Sequence, residues 1–196
     1  MPPRVTALRP ERRGRVVVDL DGKRWRTLPV DVAATVGLAV GRELDRSALR
    51  ELRRALRRFE ALASATKALR YRDASAERLR QRLEAASVAP AARAEALDVL
   101  ERAGLVDDAR FAERRADSLA ERGFGDEAIR HDLDQQGVPA ELRERAVVAL
   151  PAETSRALAI VARRGAGPKT ARYLAAKGFG EEAVEAALAG SVAADT

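Results

Sequence analysis

Hydrophobic and polar positions near the start of the chain predict strands, most clearly in RVVVDLDGKRWRTL, residues 15–28. Two β-rich runs flank an Asp-Gly pair at 21–22, which tolerates the positive φ angles of a two-residue turn. We therefore predict a β-hairpin in which Val18 pairs with Trp25, so that Trp25 lies on the apolar face. The alternative role for this tryptophan is a platform for base stacking. Because an isolated hairpin is only marginally stable, a third strand is expected, and residues 5–8 are the candidate.

After the strands, the spacing of apolar residues becomes that of α-helices. A short helix is predicted over Val30–Val36, ending at Gly37, and a long helix over Arg46–Tyr71, where no proline or glycine interrupts the chain. The apolar positions of the long helix alternate spacings of three and four: Leu49, Leu52, Leu56, Phe59, Ala63 and Thr66. The opposite face carries Arg46, Arg50, Arg53, Arg54 and Arg57. These arginines form either a solvated helix surface or a stripe that faces phosphates or an acidic protein.

The remainder of the chain repeats itself. Residues 69–100 align without gaps on residues 119–150, an offset of 50, and a third copy places Ile160 on Leu119, 41 residues later. Glycine and proline residues at helix boundaries predict three helices within each copy. The first helix of a copy ends near Arg72, Arg122 or Arg164, the second ends near Ser87, Gly137 or Gly178, and the third follows. Tandem units of this size form arrays in which each unit packs on its neighbours.

The predicted fold is therefore mostly α: tandem three-helix repeats in an elongated array, preceded by a small N-terminal β-hairpin module and a long helix. The predicted domains are 1–44 for the hairpin module with its short helix, 45–106 for the long helix and first repeat, 107–150 for the second repeat and 151–196 for the third.

Two adjacent carboxylates, Asp107 and Asp108, stand between a glycine that closes one unit and the apolar positions of the next. We interpret them as the start of a helix, one side chain capping an N–H group and the other interacting with the helix dipole. Ser75 and the cluster 153–155 are candidates for the same role. A catalytic or metal site is not predicted, because the sole histidine, His131, falls on a different helix.

Charge points to an acidic partner. The chain has 36 basic and 30 acidic side chains, a net charge of +6 and a pI near 10.4, which favours nucleic acid or a nucleoprotein. The abundance of arginine is equally compatible with GC-rich coding. Cysteine is absent, which excludes disulfides and thiolate chemistry and fits a reducing compartment. Without an apolar run long enough to span a bilayer or a signal peptide core, a cytoplasmic protein without membrane contact is expected.

Two stretches resemble a known family. GLVDDARFAERRADSLAERGFGDEAIRHDLDQQGVP, from Gly104, is similar to the central repeat of RecX-family regulators of the RecA recombinase, and KTARYLAAKGF, from Lys169, resembles their last repeat. The order of elements agrees over nearly the whole chain: a strand segment ending in DLDGKRW, then LAVGRELD, then a long helix and the repeats. GLVDDARFA is the most specific of these motifs.

The resemblance implies a non-enzymatic inhibitor, without cofactor, that lies in the groove of the RecA filament on single-stranded DNA and hinders ATP turnover, filament growth or strand exchange. It would act in homologous recombination, DNA repair and the SOS response, as a monomer that contacts single-stranded DNA directly or through the filament. The alternative is a protein of helix-turn-helix type that binds DNA itself. Arg72, Arg122 and Arg163 fall at equivalent positions of the repeats. The candidate contacts are these three and five further arginines, each otherwise a solvated or salt-bridged residue: Arg70, Arg78, Arg80, Arg82 and Arg130.

Overall fold

The computed structural model describes residues 1–69 and 73–194. Within these residues the chain forms three strands and ten helices. In chain order they are β1 Val5–Glu11, β2 Arg15–Leu20, β3 Lys23–Pro29, α1 Val30–Thr35, α2 Arg46–Leu69, α3 Ala76–Ala85, α4 Pro90–Arg102, α5 Asp108–Glu121, α6 Asp126–Gln135, α7 Ala140–Val148, α8 Glu153–Arg164, α9 Pro168–Ala176 and α10 Glu181–Ala194.

The strands form one antiparallel sheet in the order β1-β2-β3, so the predicted third strand is confirmed and β2 is central. The predicted turn is also confirmed, because Asp21 and Gly22 both have positive φ angles, 49° and 79°. Val16, Val18 and Leu28 are buried on one face of the sheet. That face needs a cover, and the helices α1 and α2 supply it.

The predicted position of Trp25 is wrong. Strand β3 carries an extra residue where the register shifts between Val18 and Asp19, so Val18 lies opposite Arg26 and Trp25 has no partner in β2. This β-bulge turns the indole outward, because an unpaired residue leaves the alternation of the strand. The Trp25 residue is 36% exposed, and the Arg26 guanidinium carbon lies 5.3 Å from its ring centroid.

Helix α1 ends as predicted, with Gly37 in the left-handed region at φ 63°. Helix α2 follows the predicted apolar stripe only in its first half, where Leu52 is buried and Phe59 packs against the cluster beneath the sheet. The predicted continuation through Ala63 and Thr66 is wrong, because both of these residues are exposed. The predicted end of the helix at Tyr71 lies outside the described residues.

The second half of α2 buries a different face. Ala61 and Ala65 have no exposed surface, and Ala61 packs with Ala92 and Ala96 of α4. The helix therefore contacts the sheet cluster with one face and α4 with another, which a single periodic stripe cannot describe. Alanine on both sides allows the two helices to approach closely.

The predicted ends of the other repeat helices are confirmed. Helix α5 is capped at its C-terminal end by Arg122, α8 ends at Arg164, and the turns after α6 and α9 contain Gly137 and Gly178 with positive φ. Pro168 occupies the first turn of α9, where its missing N–H group costs nothing. The predicted helix end near Arg72 lies outside the described residues.

The chain divides into two compact units. The first comprises the described residues of 1–70 and 82–99, and the second those of 71–81 and 100–196. In the second unit each later repeat has its own core: Ile129 and Leu133 are fully buried in one, and Val161 and Leu174 in the other. The predicted domain boundaries remain predictions. No helix among the described residues combines the length and the apolarity needed to cross a membrane.

We predict that Trp25→Ala lowers the free energy of unfolding by about 1–2 kcal/mol, less than truncation of a core residue, because more than a third of the Trp25 residue is exposed. Leu28→Ala is the matched control in the same strand. Leu28 is 1% exposed, so its truncation should cost about 2–5 kcal/mol. Urea unfolding followed by circular dichroism measures both values. A cost above about 3 kcal/mol for Trp25→Ala would show a buried indole.

Candidate functional site

Consecutive repeats in the second unit meet where the start of the second helix of one repeat contacts the glycine turn of the next, and we call this contact the seam. At one seam the start of α6 meets the turn before α10: the Gly125 N–H donates to the Lys177 carbonyl at 2.9 Å, and the Glu127 N–H to the Gly178 carbonyl at 3.1 Å. At the preceding seam the Ser75 hydroxyl, at the start of α3, donates to the Gln136 carbonyl. Both contacts join the second helix of one repeat to the glycine turn of the next.

The two carboxylates at the start of α5 have separate roles. Asp107 is the N-cap of α5, as predicted, and its side chain accepts from the Arg110 N–H at 2.9 Å. Asp108 accepts from the N–H of Ala76 at 2.8 Å. Ala76 is the first residue of α3, so Asp108 caps a helix of the preceding repeat. Ser75 caps the same helix, as predicted, by accepting from the Arg78 N–H.

Glu153 repeats the role of Asp108 at the next seam. It is the first residue of α8, and its carboxylate accepts from the Asp126 N–H at 2.6 Å and from the Gly180 N–H at 3.3 Å. The cluster 153–155 is a predicted candidate for a helix cap, and Glu153 fills that role, but not for its own helix, because α8 has Ala152 at its N-cap and no side-chain cap. The carboxylate instead serves the starts of two other helices, α6 and α10.

A partly buried ion pair reinforces this second seam. Arg156 pairs with Asp126 and donates to the Phe124 carbonyl at 2.8 Å and the Pro151 carbonyl at 3.0 Å. Burial and the Glu153 carboxylate raise the pKa of Asp126, while Arg156 opposes both effects. The arginine therefore offsets a carboxylate that the seam would otherwise leave uncompensated.

Three of the predicted contact arginines are engaged within the fold. Arg80 bonds to Glu77 at 2.6 and 2.8 Å, which lowers the pKa of that carboxyl. Arg130 is 3.0 Å from Glu144, and Arg78 donates to the Gln136 side chain at 3.2 Å. These side chains are already satisfied, so an external anion would have to displace a partner.

The other predicted arginines fall into two groups. Arg82, Arg122 and Arg163 are exposed, and the described residues offer none of them a carboxylate partner. Arg163 only donates to the Ala159 carbonyl of its own helix, at 3.2 Å. Arg70 and Arg72 lie outside the described residues.

Arg122 belongs to a group that the sequence analysis missed, here called the cation–aromatic cluster: Arg122, Phe124, Arg164, Tyr173 and Lys177. The Phe124 ring lies 3.9 Å from the Lys177 amino nitrogen and 5.3 Å from the Arg122 guanidinium carbon. The Tyr173 ring lies 4.0 Å from the guanidinium carbon of Arg164. Within the described chain, none of these three cations pairs with a carboxylate.

A repeated motif is the signal that could have revealed the cluster. Arg122-Gly-Phe124 and Lys177-Gly-Phe179 place a cation and a phenylalanine around the glycine that ends a helix. At the seam the second motif meets the first, because the Lys177 carbonyl accepts from Gly125. The backbone contact thus brings the Lys177 amino group over Phe124.

The cluster has the charge needed to attract an anion. Its cations rest on ring faces, which hold them by cation–π attraction without neutralising their charge. Among the described residues no set of His, Cys, Asp and Glu is arranged to hold a metal ion. His131 is exposed and contacts only Gln135 of its own helix among its described neighbours.

Comparison with known proteins identifies the family. Residues 107–147 match the model of the second three-helix domain of RecX. Regulatory protein RecX from Chromohalobacter salexigens is 37% identical over 134 residues, which cover 64% of this chain and 88% of that protein. The chain belongs to the RecX family. Members of the RecX family are regulatory proteins and not enzymes, which confirms the class expected from the resemblance.

Solved structures share the fold. A crystal structure of regulatory protein RecX matches with a TM-score of 0.80 at 19% identity, over 93% of this chain and 97% of that one. RecX from Lactobacillus salivarius matches with a TM-score of 0.62 at 15% identity, over 68% of this chain and 96% of that one. The predicted fold class, a mostly helical chain built of RecX three-helix units after a small N-terminal sheet and a long helix, is confirmed.

We predict that Gly125→Ala destabilises the protein by about 2 kcal/mol or more, because the seam has no room for a methyl group. A Cβ atom there would lie 2.2 Å from the Gly178 carbonyl oxygen, although the φ of −82° suits any residue. Gly190→Ala is the control: its Cβ would lie 3.7 Å from Leu158, within a helix, so it should stabilise by about 0.5–1 kcal/mol. Equal thermal unfolding of both variants would contradict the seam.

We also predict that Asp107→Ala and Asp108→Ala each cost about 1–2 kcal/mol, through loss of a cap in different helices. Hydrogen exchange separates them. Loss of Asp108 should speed exchange of the Ala76 amide in α3, whereas loss of Asp107 should speed exchange of the Arg110 amide in α5. Exchange that rises only in α5 for both variants would rule out capping across the seam.

Proposed function

We propose that this protein inhibits the RecA recombinase by binding its filament on single-stranded DNA, in the cytoplasm, and that the cation–aromatic cluster is a principal contact. It would slow ATP turnover, filament growth and strand exchange. The proposal draws on family membership for the partner and on this chain's own charges for the surface.

The observation that supports the cation–aromatic cluster as the binding surface is that the cations fall into two classes. Arg80, Arg115, Arg130 and Arg156 form ion pairs with carboxylates of the fold. The cations at the ends of α5, α8 and α9 instead lie on aromatic rings or project from the surface. An arginine or lysine that keeps its net charge attracts an acidic partner more strongly than one that is already neutralised.

The repeat architecture suits a filament. Each seam holds the next repeat by hydrogen bonds to backbone N–H groups, so cations on neighbouring repeats are fixed relative to one another. A filament presents equivalent acidic sites at regular intervals, and several linked weak contacts raise the apparent affinity through effective concentration. A single monomer can therefore bind without one dominant site.

We predict that the double variant Arg164→Gln with Lys177→Gln raises the concentration for half-inhibition of RecA ATP hydrolysis on single-stranded DNA about tenfold, since it removes two unpaired cations. The control is Arg80→Gln with Arg130→Gln, which removes the same charge from ion-paired positions and should change inhibition by less than about threefold. Circular dichroism confirms folding of both.

The outcomes separate the alternatives. Wild-type inhibition by the cluster variant would show that the cluster is not the contact. A stronger loss of inhibition in the control variant would show that Arg80 and Arg130, predicted as contacts from the sequence, bind the filament instead. If the protein binds naked DNA at physiological salt as tightly as the RecA filament, it acts on DNA directly in the manner of a helix-turn-helix protein.

A further inference from the structure

A second basic site lies in the first unit, remote in sequence from the cation–aromatic cluster. Helices α2 and α4 enclose a cleft of about 400 Å³. Four arginines of α2 line one wall, and residues around the start of α4 line the other: Arg50, Arg53, Arg54 and Arg57 with Ala89, Ala91, Ala92 and Glu95. We call this the arginine cleft.

The arginines form one row. Positions 50, 53, 54 and 57 fall at i, i+3, i+4 and i+7, so they share a face of α2. Ala61 continues the same face at i+11 and is fully buried against Ala92 and Ala96. The contact between the two helices thus closes one end of the cleft and points the arginine row into it.

The cleft is strongly positive. Within the described residues none of the four arginines forms an ion pair, and Glu95 is the one carboxylate in the lining. A neighbouring cavity, which shares Arg57 and Ala89, adds Glu60. Four guanidinium groups that repel one another without a counter-charge lower stability, so an anion that bridges them gains their combined attraction.

The lining favours phosphate over other anions. Its remaining residues are alanines and the first turn of α4, where the N–H groups of Ala91 and Ala92 precede the first helical bond, from Arg93 to Ala89. Backbone N–H groups at such a position are suited to phosphate oxygens, and the guanidinium fork binds phosphate with two hydrogen bonds.

The length of the row suits a chain of phosphates. From Arg50 to Arg57 the row spans about 10 Å at 1.5 Å per residue, so it can contact more than one successive phosphate of the same strand. A duplex carries its phosphates on a stiff convex surface, whereas a single strand can bend to follow the groove between two helices.

We propose that the arginine cleft binds the backbone of single-stranded nucleic acid, independently of base sequence. This site goes beyond the filament proposal, because it requires no RecA and shares no residue with the cation–aromatic cluster. Through this cleft the protein would bind exposed single strands directly.

The test is binding of a fluorescein-labelled oligothymidine to the full-length protein, followed by anisotropy across a salt series. Arg53→Gln with Arg57→Gln should weaken binding about tenfold or more, and should flatten the slope of log K against log salt by about 1.4, since each phosphate contact contributes about 0.7. Glu95→Gln should tighten binding by removing the opposing carboxylate.

The matched control is Arg58→Gln with Lys67→Gln, which removes two charges of the same helix that line a different groove, beside Asp31 and Phe59. It should keep the wild-type salt slope. Wild-type affinity and slope in the Arg53 and Arg57 variant would overturn the proposal. So would equal binding of a hairpin duplex, or equal competition by polyglutamate, with the same dependence on these arginines.

The filament proposal and the arginine-cleft proposal can be contradicted independently of each other. The oligothymidine measurement contains no RecA, so loss of the filament contact leaves it unchanged. Conversely, the variant Arg164→Gln with Lys177→Gln should retain the contribution of the arginine cleft to oligothymidine binding.

Discussion

The repeats of the second unit depend on one constraint: the part-buried N–H groups at the start of α3 and α6, the second helices of the first two repeats, must find acceptors. The next repeat supplies them, through Asp108 for α3 and Glu153 for α6. The glycine turn of that same repeat completes the contact by approaching so closely that no side chain fits. Capping and close approach act together, so neither repeat boundary is a flexible joint between independent modules.

The seam also positions the candidate site. Because Gly125 bonds to the Lys177 carbonyl, the two cation-glycine-phenylalanine motifs meet, and Lys177 lies over Phe124. Arg156, partly buried at the same seam, is held by Asp126 and backbone carbonyls. One contact therefore separates arginines that maintain the fold from cations that remain available to a partner, although both kinds look alike in the sequence.

Helix α2 shows the same division in the first unit. Its first half packs beneath the sheet, and its second half packs on α4 with the opposite face. The arginine row lies on the face that α4 approaches, so part of a predicted solvated surface becomes the wall of a cleft. Because the helix buries two different faces, its apolar residues do not follow one period. A single apolar stripe therefore predicts Ala63 and Thr66 in the core and misses Ala61.

Local patterns in the sequence determined the elements: the Asp-Gly turn, the glycine and proline boundaries of the helices, the threefold repeat and the Asp107 cap all depend on residues close in the chain. Tertiary structure decided what depends on distant residues. The bulge that exposes Trp25, the cap that Asp108 supplies to α3, and the choice between paired Arg130 and unpaired Arg122 each require a neighbour that no periodicity specifies. Charge is a property of a residue, but its availability depends on which carboxylate the fold places beside it.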